Sequence, residues 1–190
     1  MDDTGVVVRR HKLDVEDYHR MADAGILGED DRVELIDGEI IDMAPIGQPH
    51  AGTVGWLNQT LVMAFGDRAI VWPQNPIRLD RLNEPQPDFA VLRPRADFYR
   101  TGEPPGPEDV LLLIEVADSS LRFDRNVKLP LYARAGIPEV WIVDLRGREV
   151  RTYRGPGETG YGETSTHRPG DTMALALVPG ISLSLDRLLG

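Results

Sequence analysis

Residues 110–145 read VLLLIEVADSSLRFDRNVKLPLYARAGIPEVWIVDL, and the patterns within them run strand, polar turn, helix, strand. Residues 110–116 form an almost continuous aliphatic run of strand length, and residues 140–145 form another. Runs without polar alternation suit strands covered on both faces. Glu115 interrupts the first run. A carboxylate that deep costs on the order of several kcal/mol unless it is paired, protonated or bound to a cation, so the fold must bring something to meet it.

The next segment supplies a candidate. Lys128 and Tyr132 fall four apart, on one helical face, with Asp124 readable as an N-cap and Gly136 followed by Pro138 as a stop. Pro130 disfavours helical geometry at Leu129, so the regular helix is expected to begin near Lys128, with residues 122–127 as a looser lead-in. Composition also singles out Lys128. Of 21 basic residues only Lys12 and Lys128 are lysine, and a compact ammonium with a tunable pKa is what a guanidinium cannot supply. Chance and a structural ion pair are the alternatives.

Upstream, PDFAVL over residues 87–92 reads as a strand that starts with a further carboxylate, Asp88; acids and prolines also begin ordinary strands and turns. RVELIDGEIIDM carries Asp37-Gly38 between two strand-like runs, a hairpin signal pairing residues 33–36 with 39–43. Glu34 lies in the first of these strands, either among apolar neighbours or as an exposed acid near the turn. Residues 13–24 fit an amphipathic helix capped by Asp14 and stopped by Gly25. A second helix opens at His50 and runs to about Phe65; His50 itself is a site candidate or simply a capping residue, because no second histidine stands at ligand spacing. Short strands are expected at 70–72 and 77–79. Downstream, Arg146-Gly147 turns the chain into a strand at 149–153, residues 155–162 and 169–170 read as loops, and 173–178 and 181–185 as short closing strands. The expected architecture is one mixed α/β domain over residues 1–190, a central sheet flanked by helices with an added antiparallel hairpin layer.

Composition narrows the function classes. The 190 residues carry a net charge of −10 and no cysteine, which argues against a nucleic-acid-coating protein and against disulfides or thiolate metal sites. A cytoplasmic protein is expected: the opening MDDTGVVVRRHK lacks the pattern of a signal peptide, and no run is long and apolar enough for a bilayer. Carboxylates from Glu34, Asp88 and Glu115 brought to one place would repel, and a hard divalent cation such as Mg2+ or Mn2+ relieves that repulsion through oxygen ligands. With Lys128 nearby, and Tyr132 and His50 as auxiliary candidates, the set fits phosphodiester hydrolysis.

VELIDGEI, PDFAVL, IEV, the Asp124-x-x-x-Lys128-x-x-x-Tyr132 spacing and GIPEVWIVD together resemble the Uma2-like group of the PD-(D/E)XK nuclease superfamily, over residues 34–180. The resemblance implies a restriction-endonuclease-like fold, a Mg2+- or Mn2+-dependent endonuclease acting on DNA, and a homodimer. It matches Asp88, Glu115 and Glu34 to the superfamily's acids. The usual lysine position, two residues after the glutamate, holds Ala117, and Lys128 matches a lysine displaced onto the helix. Asp118 and Leu121 depart from the small hydroxyl residues of that turn, leaving Asp118 as a ligand or a turn cap. A nuclease fold that no longer cuts and serves as a binding or assembly module is the competing reading, as is a hydrolase of another phosphodiester, since fold and function separate readily.

Overall fold

The computed structural model describes residues 10–28, 30–174, 178 and 180–189. Its centre is a six-stranded sheet in the order β3-β4-β5-β6-β7-β8, built from Ile70–Pro73, Phe89–Leu92, Val110–Ala117, Glu139–Asp144, Glu149–Gly157 and Gly160–His167. Only β5 and β6 run parallel; every other neighbouring pair is antiparallel. The parallel pair is the one joined by the helical crossover of residues 121–134, as parallel neighbours require. All eight residues of β5 are buried, which is why its sequence shows no alternation.

Helix α1 (Val15–Asp23) begins in a capping box between Asp14 and Asp17. A separate hairpin pairs β1 (Val33–Ile36) with β2 (Glu39–Asp42) through Asp37 and Gly38, both at positive φ. Helix α2 (Gln48–Phe65) covers one face of the sheet: Leu57, Leu61 and Phe65 pack with Leu112, Ile114 and Val116. On the other face Leu113 and Ala117 pack with Ile36 of the hairpin and with Leu131 and Tyr132 of the crossover. The alternation along β5 therefore assigns Glu115, between Leu113 and Ala117, to the face of the hairpin and crossover helix.

The crossover is composite: one turn α3 (Leu121–Phe123), a π-helical turn over Asp124–Lys128, then α4 (Leu129–Arg134). Pro130 is the second residue of α4, and Leu129 before it is helical all the same, at φ −58° and ψ −46°, against the expectation from the proline; Gly136 ends the helix at φ 78°. Four other sequence expectations need correction. Ser120, not Asp124, holds the N-cap position, and Asp124 lies inside the π turn. Residues 77–79 form no strand, because their amides bond to the loop carbonyls of Pro85, Pro105 and Asn83. The hairpin after Gly147 extends through Gly157 into β8, where a loop was expected. The first closing strand is β9 (Thr172–Ala174), paired with β10 (Ser182–Ser184); residues 175–177 of the expected strand lie outside the described residues. Among the described residues no helix is long and apolar enough to cross a membrane.

Candidate functional site

Asp88 stands one position before β4, and the antiparallel register that sets Phe89 opposite Ile114 carries Asp88 to the level of Glu115. Opposed positions present their side chains on the same face. Asp88 is fixed at both oxygens: Val116 N donates to Oδ2 at 2.8 Å, and His50 Nε2 lies 3.0 Å from Oδ1. His50 reaches it from the first turn of α2. The Asp88 hydrogen bond raises the pKa of His50, against the opposing effect of burial. His50 Nδ1 is buried with no partner among the described residues.

Glu115 is met by two groups from the crossover, both on Oε1: the Tyr132 hydroxyl donates at 2.5 Å and Lys128 Nζ at 3.3 Å. Lys128 Nζ also lies 3.0 Å from Glu34 Oε2, and that oxygen accepts from Gln86 N at 3.0 Å. The ammonium is therefore held between two carboxylates from different layers, with the side chains of Lys128, Glu34 and Glu115 each at most 5% exposed. The π turn adds Asp124, 3% exposed, whose Oδ2 accepts from Ser120 Oγ at 2.7 Å. Sequence reading took Asp124 for a cap. The Asp124-x-x-x-Lys128-x-x-x-Tyr132 spacing sets it in the family pattern, and the near-complete burial of its side chain puts it in the site.

Three carboxylates, those of Glu34, Glu115 and Asp124, thus act on one ammonium, and Asp88 stands beside Glu115. Burial pushes Glu115 up to about 8, with Lys128 opposing and the charges of Asp124 and Asp88 adding. Burial likewise lifts Asp124 to about 6. For Lys128 burial acts downward, but Glu115, Glu34 and Asp124 together raise it, so it stays charged. Burial raises Tyr132 well above its ordinary value, and Glu115 adds to the effect, so its hydroxyl remains a donor.

Glu34, Asp88, Glu115, Asp124, Lys128 and His50 line one cleft of about 210 Å3, whose walls are the loop after β2, including Ile46, and the turn carrying Asp118, Ser120 and Phe123. Tyr132 stands behind this lining and acts through Glu115. Asp118, left open between ligand and turn cap, accepts from Arg146 Nε at 2.8 Å at the exposed rim.

The donor chemistry suits a hard cation in part. Asp88 and Glu115 present oxygens on one face with excess negative charge beside them, and Mg2+ is commonly held by one or two carboxylates with water completing its shell. Glu34, the third expected ligand, has its Oε2 engaged by Lys128 and Gln86 N, and among the described residues no group of three or more His, Cys, Asp or Glu side chains is arranged to hold a metal ion.

The model of the Uma2 family, described as "Putative restriction endonuclease", matches residues 15–186. No curated protein matches the chain. Among solved structures, that of a "putative nuclease belonging to DUF820" from Anabaena variabilis ATCC 29413 aligns with a TM-score of 0.71 at 15% identity, covering 93% of this chain and 97% of that one. At that identity the likeness speaks for the fold alone.

Proposed function

The chain belongs to the Uma2 family, and from that premise we propose that it is a metal-dependent endonuclease hydrolysing DNA phosphodiester bonds. Family and fold both support a nuclease. The observation that carries the finer reading is the ammonium of Lys128 held between Glu34 and Glu115 at the bottom of the cleft, with Asp88 on the Glu115 face.

In this reading Asp88 and Glu115 hold Mg2+ or Mn2+. Such a cation, when bound, makes water a nucleophile at neutral pH and offsets charge on a phosphoryl group. The chain's residues do the rest. His50 and the Val116 amide fix the Asp88 carboxylate, Tyr132 fixes that of Glu115, and the Gln86 amide fixes Glu34, so the first-placed oxygens are oriented before substrate arrives. Lys128 supplies a fixed positive charge in a water-poor setting, where it stabilises negative charge developing on the phosphate far better than it would in water. Glu34 holds the lysine in place through its Oε2.

The test is purified protein on supercoiled plasmid and on single-stranded DNA, with Mg2+, Mn2+ or EDTA. Nicking or linearisation that requires the metal supports the reading. Intact DNA under every metal condition, with DNA binding retained, would instead favour a binding module on a nuclease fold.

A further inference from the structure

The six-stranded sheet ends in two unlike edges. On one side β8 is mostly exposed and reads GYGETSTH, a polar edge with glycines and Glu163. Charge and polarity of that kind protect an edge from pairing with another strand. On the other side β3 reads IVWP, has β4 as its one strand partner among the described residues, and carries no charge. At its end Pro73 has no N–H to give and its carbonyl accepts from Asn75 Nδ2 at 2.7 Å, so the outward backbone bonds centre on Val71.

A groove of about 390 Å3 follows the β3 edge. One lip is Val62 and Gly66 at the end of α2, the other is Phe98, and none of the nine lining residues is charged. Two large apolar lining side chains stand exposed, Val62 at 51% and Phe98 at 55%, and Met63, next to Val62 in α2, is 77% exposed. The helix behind the first lip has no Asp, Glu, Lys or Arg in 18 residues, in a chain where 27% of residues are charged. Apolar side chains gathered around an unguarded sheet edge mark an interaction surface.

We propose that the β3 edge, with Val62 and Phe98 beside it, is where two copies of this chain pair strand against strand. Two arguments identify a second copy as the occupant. Each chain has a net charge of −10, so copies repel wherever charged faces meet, and this face contributes no charge from its groove or its helix. Antiparallel pairing of a strand with its own twin is also self-complementary: about a twofold axis, each β3 gives and receives the same backbone bonds, and knobs and groove lie on the same patch of both copies. The sheet would then continue across the axis as twelve strands. The inference is independent of the nuclease reading and goes beyond it by locating the interface.

The test is sedimentation of the full chain from low-micromolar to submillimolar loading, with hydrogen exchange of β3. A dimer is expected, and the β3 amides not bonded to β4 should gain protection as it forms. The double variant Val62→Glu/Met63→Glu changes side chains that are already exposed. Phe98→Asp places, at φ 53°, a residue that tolerates left-handed backbone. Each should melt like the parent and raise the dissociation constant on the order of thirtyfold or more, as loss of a central anchor does. Ile26→Glu, 65% exposed on the segment after α1, should leave it unchanged. A parent that stays monomeric throughout, a dimer indifferent to both groove variants, or β3 exchange independent of concentration would each overturn the proposal. DNA cleavage can fail without touching this outcome, and the dimer can fail without touching cleavage.

Discussion

Glu115 keeps its proton to about pH 8 because it is buried, although its ordinary value is 4.5. Between those two values the folded protein holds a proton that the unfolded chain has lost, so this group's contribution to stability is greatest below pH 4.5, declines as pH rises and levels off above about 8. Asp124 acts with the same sign, but its window closes at about 6; above that Glu115 acts together with His50, whose pKa Asp88 raises from 6.5. The metal-free parent should therefore lose stability from about pH 6 to 8, with Glu115 contributing up to about 1.4 kcal/mol per pH unit. Glu115→Gln should flatten that slope in thermal melts, and its ammonium neighbour should stay paired through Glu34. A second expectation follows from the same proton. A carboxylate must ionise to hold a cation, so Mn2+ binding should release a proton and tighten as pH rises to about 8; calorimetry in two buffers of different ionisation heat measures both. Affinity that does not change with pH would count against Glu115 as a ligand. Glu115 and Lys128 could be singled out in the sequence because each breaks a pattern, one an apolar run and the other an arginine-only usage. Asp124 breaks none, and its burial depends on a turn geometry that residue spacing does not encode.

The β1–β2 hairpin delivers Glu34, and its turn depends on Gly38: φ is 67°, and a Cβ there would come within 2.8 Å of Lys12 Cβ and 2.9 Å of the Leu13 carbonyl oxygen. Gly38→Ala should cost about 1–3 kcal/mol, from left-handed strain and the clash together. It should also weaken the hold of Glu34 on Lys128, seen as a loss of stability by denaturant titration together with a fall in the Lys128-dependent cleavage rate. A fully active, equally stable Gly38→Ala protein would show that the turn is not what places Glu34. This hairpin was legible because Asp37-Gly38 between apolar runs has one favoured turn chemistry. Residues 77–79 misled for the opposite reason: apolar character at strand length says nothing of where the amides bond, and here they bond to loop carbonyls. Strand β8 was hidden because its exposed polar residues gain little from burial and are held through pairing with β7.

Across the whole molecule, the sheet and its two covering layers bring six residues, from Glu34 to Lys128, to one end of β4 and β5, while the net charge stays at −10. The cations lining the cleft are Arg32 and Lys128, with His50 beside Asp88 and Arg146 engaged by Asp118 at the rim. On the proposed function, two lining cations would make few phosphate contacts, so DNA affinity should fall only about tenfold between about 50 and 200 mM salt, against a thousandfold or more for a protein with six to ten such contacts. Filter binding with EDTA present measures that slope. The central claim is that the lysine missing from its usual place, now Ala117, is supplied by Lys128 from the crossover helix. It is tested most directly by the metal-dependent cleavage rate of Lys128→Ala beside the parent under single-turnover conditions, with folding verified by melting. The account predicts a loss of about a hundredfold or more, matched by Asp88→Asn and Glu115→Gln; a folded Lys128→Ala protein that cuts within a few-fold of the parent would contradict it.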